Sequence, residues 1–503
     1  MIKLSLQTSK RNVFSCYFII CLSFATAQNV MVVETNNHEI SKFPIDNISR
    51  VFFEKEPLDK SNFGQAFQEE FGIIDYSQDW NMAEEQAVRV TTSVASTICI
   101  FGTFVSSEFG SRKLAEYNDV IGTQDLKYQK PKGLKELFAI ASNPNFSVGA
   151  KLDDSGIVDF DKVNADVVLQ DCVTSETVNV EVDHFALQTL PNGQNNQGKV
   201  SQSSQFISDG RPITITPVYS DCGYQNTLGI YVQKGSGELL KMDLWTKRQN
   251  HTNGVQSLPA FQVTLPVGLV YGFYIANISG TYYSDASLNS NEARAAGIFR
   301  GNEKMYMAFE DMPLLGDMDY NDMVFSIEPE VTALDTDPSE WIIAVELDEE
   351  DSDFDFNDVV VKVSYAMGTP YLTLTPMAAG TTKRVEIYMA DRLLSEIHQL
   401  FGTQETGCIN TIADGTIYRG FVNTTPIRIE VPNQYSIKET LHNLSIHVDN
   451  NVLSVSKTGW SPRFLLISNG LWRWPTEGTS IGTAYEGFAK WVQNPNNFNW
   501  IFE

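Results

Sequence analysis

Residues 316–322 read GDMDYND, and residues 352–358, 36 positions further on, read SDFDFND. In both copies a glutamate, Glu310 or Glu346, lies seven positions before the first aspartate. Four short apolar runs flank the two copies, at 305–309, 323–325, 341–345 and 359–361. Short apolar runs between polar turn residues are typical of β-strands. The repeat therefore predicts a unit of strand, carboxylate-rich loop and strand that occurs twice.

The density of carboxylates in both copies predicts cation binding. Oxygens packed this closely repel one another unless a cation lies among them. Ca²⁺ fits better than Mg²⁺, because it accepts six to eight oxygen ligands in flexible geometry. The predicted ligands are Glu310, Asp317, Asp319, Asn321 and Asp322 in the first copy, and Glu346, Asp353, Asp355, Asn357 and Asp358 in the second.

Each loop must curl before these oxygens can reach one ion. An extended chain rises about 3.3 Å per residue, which holds alternate side chains too far apart to share a cation. Gly316 permits a tight turn at the start of the first loop. An EF-hand is excluded, because Asp322 or Asp358 stands where that loop requires glycine and because no helices flank the motif.

The alternative is that these Asp and Asn residues occupy ordinary turns and cap nearby backbone N–H groups. Turn chemistry does not require a distant glutamate, so the repeated Glu-to-Asp spacing favours a cation site. The aromatic residues around the loops are predicted to anchor them in the core. They are Phe309, Tyr320, Phe325, Phe354 and Phe356.

The bulk composition limits the function. Acidic residues outnumber basic ones by 62 to 36, and the formal net charge is -26. This balance argues against nucleic acid and against anionic membrane surfaces, because phosphates attract Lys and Arg. A chain of 503 residues has room for about three domains.

The N-terminus resembles a cleaved export signal over residues 1–27. Lys3, Lys10 and Arg11 precede an apolar stretch at 13–24, and small residues follow at 25–27. That stretch is too short to span a bilayer comfortably, and no other segment approaches transmembrane length. We expect a secreted protein that is periplasmic, surface-exposed or extracellular. The four cysteines beyond the signal are widely spaced, so isolated thiols are expected, with one disulfide as the alternative: Cys99, Cys172, Cys222 and Cys408.

The pattern of alternating apolar residues and turns predicts a mainly β protein with tandem antiparallel, jelly-roll-like β-sandwich domains and few short helices. The two clearest helices are predicted at 390–401 and 484–492. The predicted divisions are a small β element at 28–56, a helical lead-in and β-sandwich at 57–165, a linker region at 166–205, a β-sandwich with the first acidic loop at 206–334, and a C-terminal domain with the second at 335–503.

Together these motifs resemble the LruC-type domain proteins, which are secreted or envelope proteins of Bacteroides-like bacteria. Besides the two acidic loops, the resemblance covers the segments 215–219, 228–231, 396–402, 472–475 and 484–491, and it extends over 206–503. It implies a fold and a cellular address rather than an activity. The second copy has Leu347 where the first has Asp311, so Asp311 is not counted as a ligand.

No catalytic motif accompanies the acidic loops. The chain has no H-E-x-x-H, G-x-S-x-G, Walker loop or dinucleotide fingerprint. We therefore expect a non-catalytic structural, adhesive or binding protein. One alternative is a carbohydrate-binding protein that uses exposed C-terminal tryptophans; a glycoside hydrolase is another, which would need a cleft with two opposed carboxylates. The tryptophans concerned are Trp460, Trp472, Trp474, Trp491 and Trp500, and burial in the core is their other interpretation.

Overall fold

A computed structural model describes most of the chain beyond residue 82 and three short segments before it. The described residues are 30–34, 40–44, 62–72 and 83–503, except 105–110, 164–166, 184–202, 235–237, 247–249, 302–303, 348–351, 403–406, 413–414, 421, 423, 434, 450 and 455–462. The predicted export signal at 1–27 and Trp460 lie outside them. The predicted fold class is confirmed: antiparallel sheets dominate, and the helices are few and short.

The N-terminal part begins with a two-stranded sheet within the predicted β element. Its strands are β1 (Val30–Glu34) and β2 (Ile40–Pro44), which pair antiparallel. Helix α1 (Asn62–Phe71) follows within the predicted helical lead-in.

A five-stranded sheet, which we call the N-terminal sheet, comes next. It consists of β3 (Ala83–Phe104), β4 (Ser111–Pro131), β5 (Leu134–Asn143), β6 (Phe146–Leu152) and β7 (Ile157–Asp159). The order is β4-β3-β5-β6, with β7 parallel to β3. The sandwich predicted at 57–165 was therefore wrong in form, because the described part of this region supplies one sheet rather than two. Apolar side chains from the two following modules cover it instead.

The middle module is a two-sheet sandwich. One sheet has the order β16-β17-β18-β10-β13-β8, and the other has β12-β11-β14-β9-β19 with β15 beside β14. Their bounds are β8 (Val173–Glu181), β9 (Ser204–Ile207), β10 (Ile213–Tyr219), β11 (Thr227–Gln233), β12 (Leu239–Thr246), β13 (Val255–Val263), β14 (Val270–Asn277), β15 (Gly280–Tyr283), β16 (Ala296–Gly301), β17 (Lys304–Phe309), β18 (Met323–Glu328) and β19 (Ala333–Asp335).

Strand β8 corrects the predicted linker region at 166–205. Its residues pair with β13 along their whole length, from Val173 opposite Val263 to Glu181 opposite Val255. Its exposed, polar side chains gave little apolar alternation in the sequence, because an edge strand buries little of its surface.

The C-terminal module is also built from two sheets. The first has the order β25-β22-β21-β20-β28 and the second β24-β23-β26-β27. Their bounds are β20 (Ser339–Val345), β21 (Val359–Tyr365), β22 (Tyr371–Ala378), β23 (Val385–Met389), β24 (Arg392–Glu396), β25 (Ile427–Glu430), β26 (Leu444–Val448), β27 (Asn451–Ser454) and β28 (Phe464–Ile467).

The five-stranded sheet of this module is buried on both faces. Trp341 and Ile343 face the core shared with the four-stranded sheet, whereas Ile342 and Ala344 face an aromatic cluster that includes α1. This explains why its strands read as continuous apolar runs rather than as alternation.

Four short helices lie in this module. They are α2 (Ile397–Leu400), α3 (Ile437–Leu441), α4 (Ile481–Ala484) and α5 (Phe488–Gln493). The helix predicted at 390–401 was wrong in its first half, because 392–396 pair with β23 and only then does Glu396 cap a single helical turn. The helix predicted at 484–492 is divided, with residues 485–487 lying between α4 and α5.

The N-terminal sheet contacts both modules near the segment that joins them. Arg112 of β4 forms a buried ion pair with Asp335, and Ser111 Oγ donates to the Ala333 carbonyl at 2.8 Å. Further along β4, Ala115 forms an isolated bridge with Met367 of the C-terminal module.

The four cysteines beyond the signal are free thiols in this structure. Among the described residues, every helix is too short or too polar to traverse a lipid bilayer.

Candidate metal centres

Two pairs of neighbouring strands hold the acidic loops. Strands β17 and β18 pair antiparallel up to Phe309 opposite Met323, and β20 and β21 pair up to Val345 opposite Val359. Each loop therefore leaves one strand and returns to its immediate neighbour, as the repeat predicted. We call residues 310–322 the first acidic loop and 346–358 the second.

Both loops curl because two residues in each adopt a left-handed backbone conformation. Met318 and Tyr320 have φ of 59° and 56°, and Phe354 and Phe356 have φ of 55° and 53°. Left-handed backbone at bulky residues is strained, and such strain persists only where the surroundings enforce it. Gly316 has a φ of 53° and a ψ of -122°, which glycine adopts readily, so its predicted role in the turn is confirmed.

The aromatic side chains enforce this conformation from below. All five aromatic residues predicted to anchor the loops are buried, and Phe354 is the most accessible of them at 9% exposed. Tyr320 also donates its hydroxyl to the Arg294 carbonyl at 2.7 Å. These aromatic side chains thus anchor the backbone of each acidic loop in the core.

The curl brings three carboxylates together in each loop. In the first, which we call the first site, oxygens of Glu310, Asp317 and Asp319 all lie within 4.8 Å of one another. In the second site the same holds for Glu346, Asp353 and Asp355. The glutamate and the later aspartate are buried in both, and the first aspartate is exposed.

The other four predicted ligands hold the loops in place. Asp322 accepts the Asp311 N–H at 2.8 Å, and Asp358 accepts the Leu347 N–H at 2.7 Å. Asn321 donates its side-chain amide to Asp319, and Asn357 donates to Asp355 at 2.6 Å. Asp322 and Asp358 are not among the carboxylates that converge within 4.8 Å. The side-chain oxygen of Asn357 is buried without a hydrogen-bond partner, so it is free to bind an ion, as predicted for this residue.

Matching hydrogen bonds also close the two loops. The Tyr320 N–H donates to Glu310, and the Phe356 N–H donates to Glu346 at 3.2 Å. Asp355 accepts the Asn357 N–H at 3.0 Å. These contacts position the carboxylates but satisfy only part of their capacity, since each carboxylate has about four acceptor sites.

Burial and mutual repulsion raise the pKa values in the first site. Burial, with a further contribution from nearby Asp319 and Asp317, raises the pKa of Glu310 to about 8. Burial and then Asp317 raise the pKa of Asp319 to about 6. Burial and the neighbouring Asp311 raise the pKa of Asp322 to about 9. The first loop thus holds carboxyl groups that resist ionisation.

The second site is under stronger electrostatic strain. Burial and then Asp353 raise the pKa of Asp355 to about 8. Burial, followed by repulsion from Asp358 and Asp355, raises the pKa of Glu346 well above its usual range. Binding of protons or of a cation would relieve this repulsion.

In the described part of the chain, no basic side chain forms an ion pair with the three carboxylates of the first site or the three of the second. Buried carboxylates are normally paired with a cation or a metal. The arrangement suits a hard divalent ion that accepts carboxylate oxygens and leaves positions for other ligands.

Sequence reasoning missed the segment 475–481, which lies over the second loop. The Gly478 N–H donates to Asp355 at 3.0 Å, and the Ile481 N–H donates to the Phe354 carbonyl at 2.8 Å. Asp353 lies close enough to Glu477 to contribute to its raised pKa, behind burial as the main cause. No local signal could have revealed these contacts, because more than a hundred residues separate the partners.

The C-terminal tryptophans form core rather than a surface platform. Trp472, Trp474, Trp491 and Trp500 are each at most 3% exposed and pack in the aromatic cluster beneath the five-stranded sheet. The carbohydrate-binding alternative required exposed Trp472 and Trp474. Because both are buried, they cannot form the sugar-stacking surface that this alternative needs.

Residues 268–330 match DUF4114, a domain of unknown function. The match extends from the residues before β14 to just beyond β18, so it includes the first acidic loop and excludes the second. It does not bear on the resemblance to LruC-type domains, which stays a prediction. Comparison of the chain with the curated proteins gives no match.

Proposed function

We propose that the protein is an exported, non-catalytic structural, adhesive or binding component of the bacterial envelope or surface, in which Ca²⁺ orders the middle and C-terminal modules. One observation carries this proposal: in each acidic loop, oxygens of three carboxylates converge within 4.8 Å of one another. The resemblance to LruC-type proteins and the export-like N-terminus support the cellular address.

Each ion would act through the strands that its site joins. At the first site Ca²⁺ would bind the ends of β17 and β18 together. At the second it would fix β20 and β21, and through Phe354 and Asp355 also α1 and the segment 475–481. An ion in hundredfold excess over its Kd stabilises the folded state by about 2.7 kcal/mol.

We expect these sites to have the affinity of other extracellular calcium modules. Extracellular calcium modules bind with a Kd on the order of 0.1–1 mM. Sites of that strength fill only where calcium is plentiful, so the order of the two modules would follow the calcium level outside the cell.

The hydrolase alternative gains no support from a cavity of about 370 Å³ between the N-terminal sheet and the middle module. Two carboxylates line it, but Glu136 pairs with Lys151 at 2.6 Å and Asp209 with Arg211 at 2.6 Å. The hydrogen bond from Arg211 lowers the pKa of Asp209. A glycosidase acid needs a raised pKa instead.

Thermal unfolding of the chain lacking residues 1–27 tests the proposal. EDTA should lower the melting temperature by about 5–10 °C, and excess Ca²⁺ should restore it. Mg²⁺ should restore less, since it demands tighter octahedral geometry. The double variant Asp319→Ala/Asp355→Ala should no longer respond to Ca²⁺. A wild-type melting curve that neither EDTA nor Ca²⁺ moves would sink the proposal.

A further inference from the structure

The cavity between the N-terminal sheet and the middle module has mainly apolar walls. Its volume of about 370 Å³ falls within the range of about 300–1,000 Å³ that is typical of small-molecule sites. Strands β5 and β6 supply one wall through Phe138, Gly149 and Ala150. The middle module supplies the other wall, with apolar side chains from several strands and loops: Ile207, Ile213, Val263, Leu265, Val267 and Val331.

Backbone hydrogen bonds join the two walls at the edge of the cavity. The Gly149 N–H donates to the Gly268 carbonyl at 2.6 Å, and the Gly268 N–H donates to the Ser208 carbonyl at 2.8 Å. Val148 of β6 also forms an isolated bridge with Leu269. The two walls are therefore part of one connected framework, so the cavity is formed before any ligand enters it.

The charged side chains that line the cavity balance one another. Lys151 pairs with Glu136 and Arg211 pairs with Asp209, each at 2.6 Å. The lysine and arginine side chains are 60% and 59% exposed, so these pairs lie at the mouth of the cavity. Because each cation already has a carboxylate partner, an anionic ligand finds no free positive charge there. The balance favours an uncharged ligand.

Tyr271 of β14 brings a polar group to this apolar space. Its side chain lines the cavity and is 2% exposed, and its ring packs against Phe206 and Phe273 with centroids 5.5 and 5.8 Å away. In the described part of the chain, no hydrogen bond engages the Tyr271 hydroxyl. Burial, with a contribution from Asp209 at the cavity mouth, raises the pKa of this hydroxyl, so it stays protonated.

An unengaged hydroxyl in this position calls for a partner. Buried polar groups are nearly always hydrogen-bonded, because leaving one without a partner costs free energy. The Tyr271 hydroxyl carries one donor hydrogen and can also accept. Since no residue of the chain uses this donor, it is available to an acceptor atom of a molecule inside the cavity.

We propose that this cavity binds a small, uncharged and mainly apolar molecule, and that Tyr271 donates a hydrogen bond to an oxygen atom of that ligand. The apolar walls cover the body of the ligand, and the hydroxyl fixes its orientation. A molecule bound here contacts the N-terminal sheet and the middle module together, so it stabilises their junction. The site is separate from both acidic loops and does not depend on Ca²⁺.

Equilibrium dialysis of the chain lacking residues 1–27 against 2-naphthol and naphthalene tests the proposal. The two probes share a bicyclic ring, and 2-naphthol alone carries an oxygen. We expect saturable binding of 2-naphthol, about fivefold tighter than that of naphthalene because of the hydrogen bond. Tyr271→Phe should remove this preference and leave naphthalene binding unchanged. Tyr282→Phe is the matched control, since the Tyr282 hydroxyl contacts Ser279 Oγ at 2.8 Å, and it should keep the preference.

Melting curves of the same variants check the state of the two hydroxyls. Tyr271→Phe should not lower the melting temperature, because no bond within the chain is lost, whereas Tyr282→Phe should lower it slightly. The proposal is overturned if neither probe binds saturably, or if Tyr271→Phe still prefers 2-naphthol. A preference that Tyr282→Phe also abolishes overturns it as well. Binding should be equal in EDTA and in Ca²⁺, so this result and the calcium proposal can fail separately.

Discussion

Hydrogen bonds from the segment 220–226 contact the first acidic loop, whereas aromatic rings of α1 and hydrogen bonds from the segment 475–481 contact the second. The two share their glutamate, their pair of aspartates, their left-handed residues and their closing hydrogen bonds. They differ at the residue between the two aspartates, which is half-buried Met318 in the first and Phe354 in the second. A common backbone conformation thus serves two sites with the same burial pattern and different surroundings.

Contacts from distant parts of the chain make this difference. Phe63, Phe67 and Phe71 of α1 each pack against the Phe354 ring, with centroids 5.4 to 5.9 Å apart. Met318 is instead half-buried against the two apolar clusters of the middle module. The loop therefore sets the geometry of the ligands, and segments distant in the chain set what packs around it.

The largest expected effect on stability comes from removing the Phe354 ring, which α1 packs against at the second loop. Phe354→Ala should lower the free energy of unfolding of the C-terminal module by about 3–5 kcal/mol, because it empties a pocket that three rings line. The equivalent Met318→Ala should cost about 1–2 kcal/mol in the middle module, since Met318 is only half-buried. Urea denaturation measures both, and equal losses would contradict the contrast between the sites.

The next effect is a pH dependence that Ca²⁺ reduces. The raised pKa values mean that the folded, calcium-free chain holds more protons than the unfolded chain above about pH 4. Its stability should therefore fall as the pH rises from about 4 to about 8, by about 1.4 kcal/mol per pH unit for each proton retained. Denaturation midpoints in EDTA and in Ca²⁺ across this range measure it.

The two sites should contribute to this slope over different ranges. Asp319, with a pKa raised to about 6, is already ionised at pH 7.5, whereas Asp355, with a pKa raised to about 8, is not. Between pH 6 and 8, Asp355→Asn should flatten the slope more than Asp319→Asn does. The reverse order would show that the first site is the more enclosed.

A smaller effect is expected in affinity. The second site should bind Ca²⁺ about tenfold more tightly than the first, because its buried surroundings and the Gly478 N–H hold Asp355 in place before the ion arrives. Calorimetric titration of Asp319→Ala reports the second site alone, and titration of Asp355→Ala reports the first. Weaker binding by Asp319→Ala than by Asp355→Ala would refute this ranking.

The smallest effect concerns the segment over the second loop. Gly478 has a φ of 73°, so Gly478→Ala should cost about 1 kcal/mol and weaken Ca²⁺ binding at the second site a few-fold. Gly254→Ala is the matched control, because Gly254 has a φ of 70° with open space around it in the middle module. It should cost as much stability and leave the affinity unchanged. A similar loss of affinity in both variants would assign the effect to backbone strain alone.

Most of the local structure around the sites was predictable from the sequence. The four apolar runs beside the acidic motifs are the strands β17, β18, β20 and β21, and the five aromatic anchors are buried. These features follow from periodicity and from turn chemistry, which act over a few residues. Two predictions failed because strand pairing overrode the local pattern: 392–396 form a hairpin with the preceding β23, and 173–181 pair with the distant β13.

The sequence by itself determined that two strand–loop–strand units would each concentrate carboxylates, because spacing along the chain sets which side chains can share a face. Only the tertiary structure decided which carboxylates converge, since that depends on left-handed residues that the aromatic core enforces. It also decided that α1 and the segment 475–481 contact the second loop, and that the segment 220–226 contacts the first. Those contacts join residues far apart in the chain. Burial of apolar surface drives them, and because this force is non-directional, the sequence of one segment does not show which other segment will cover it.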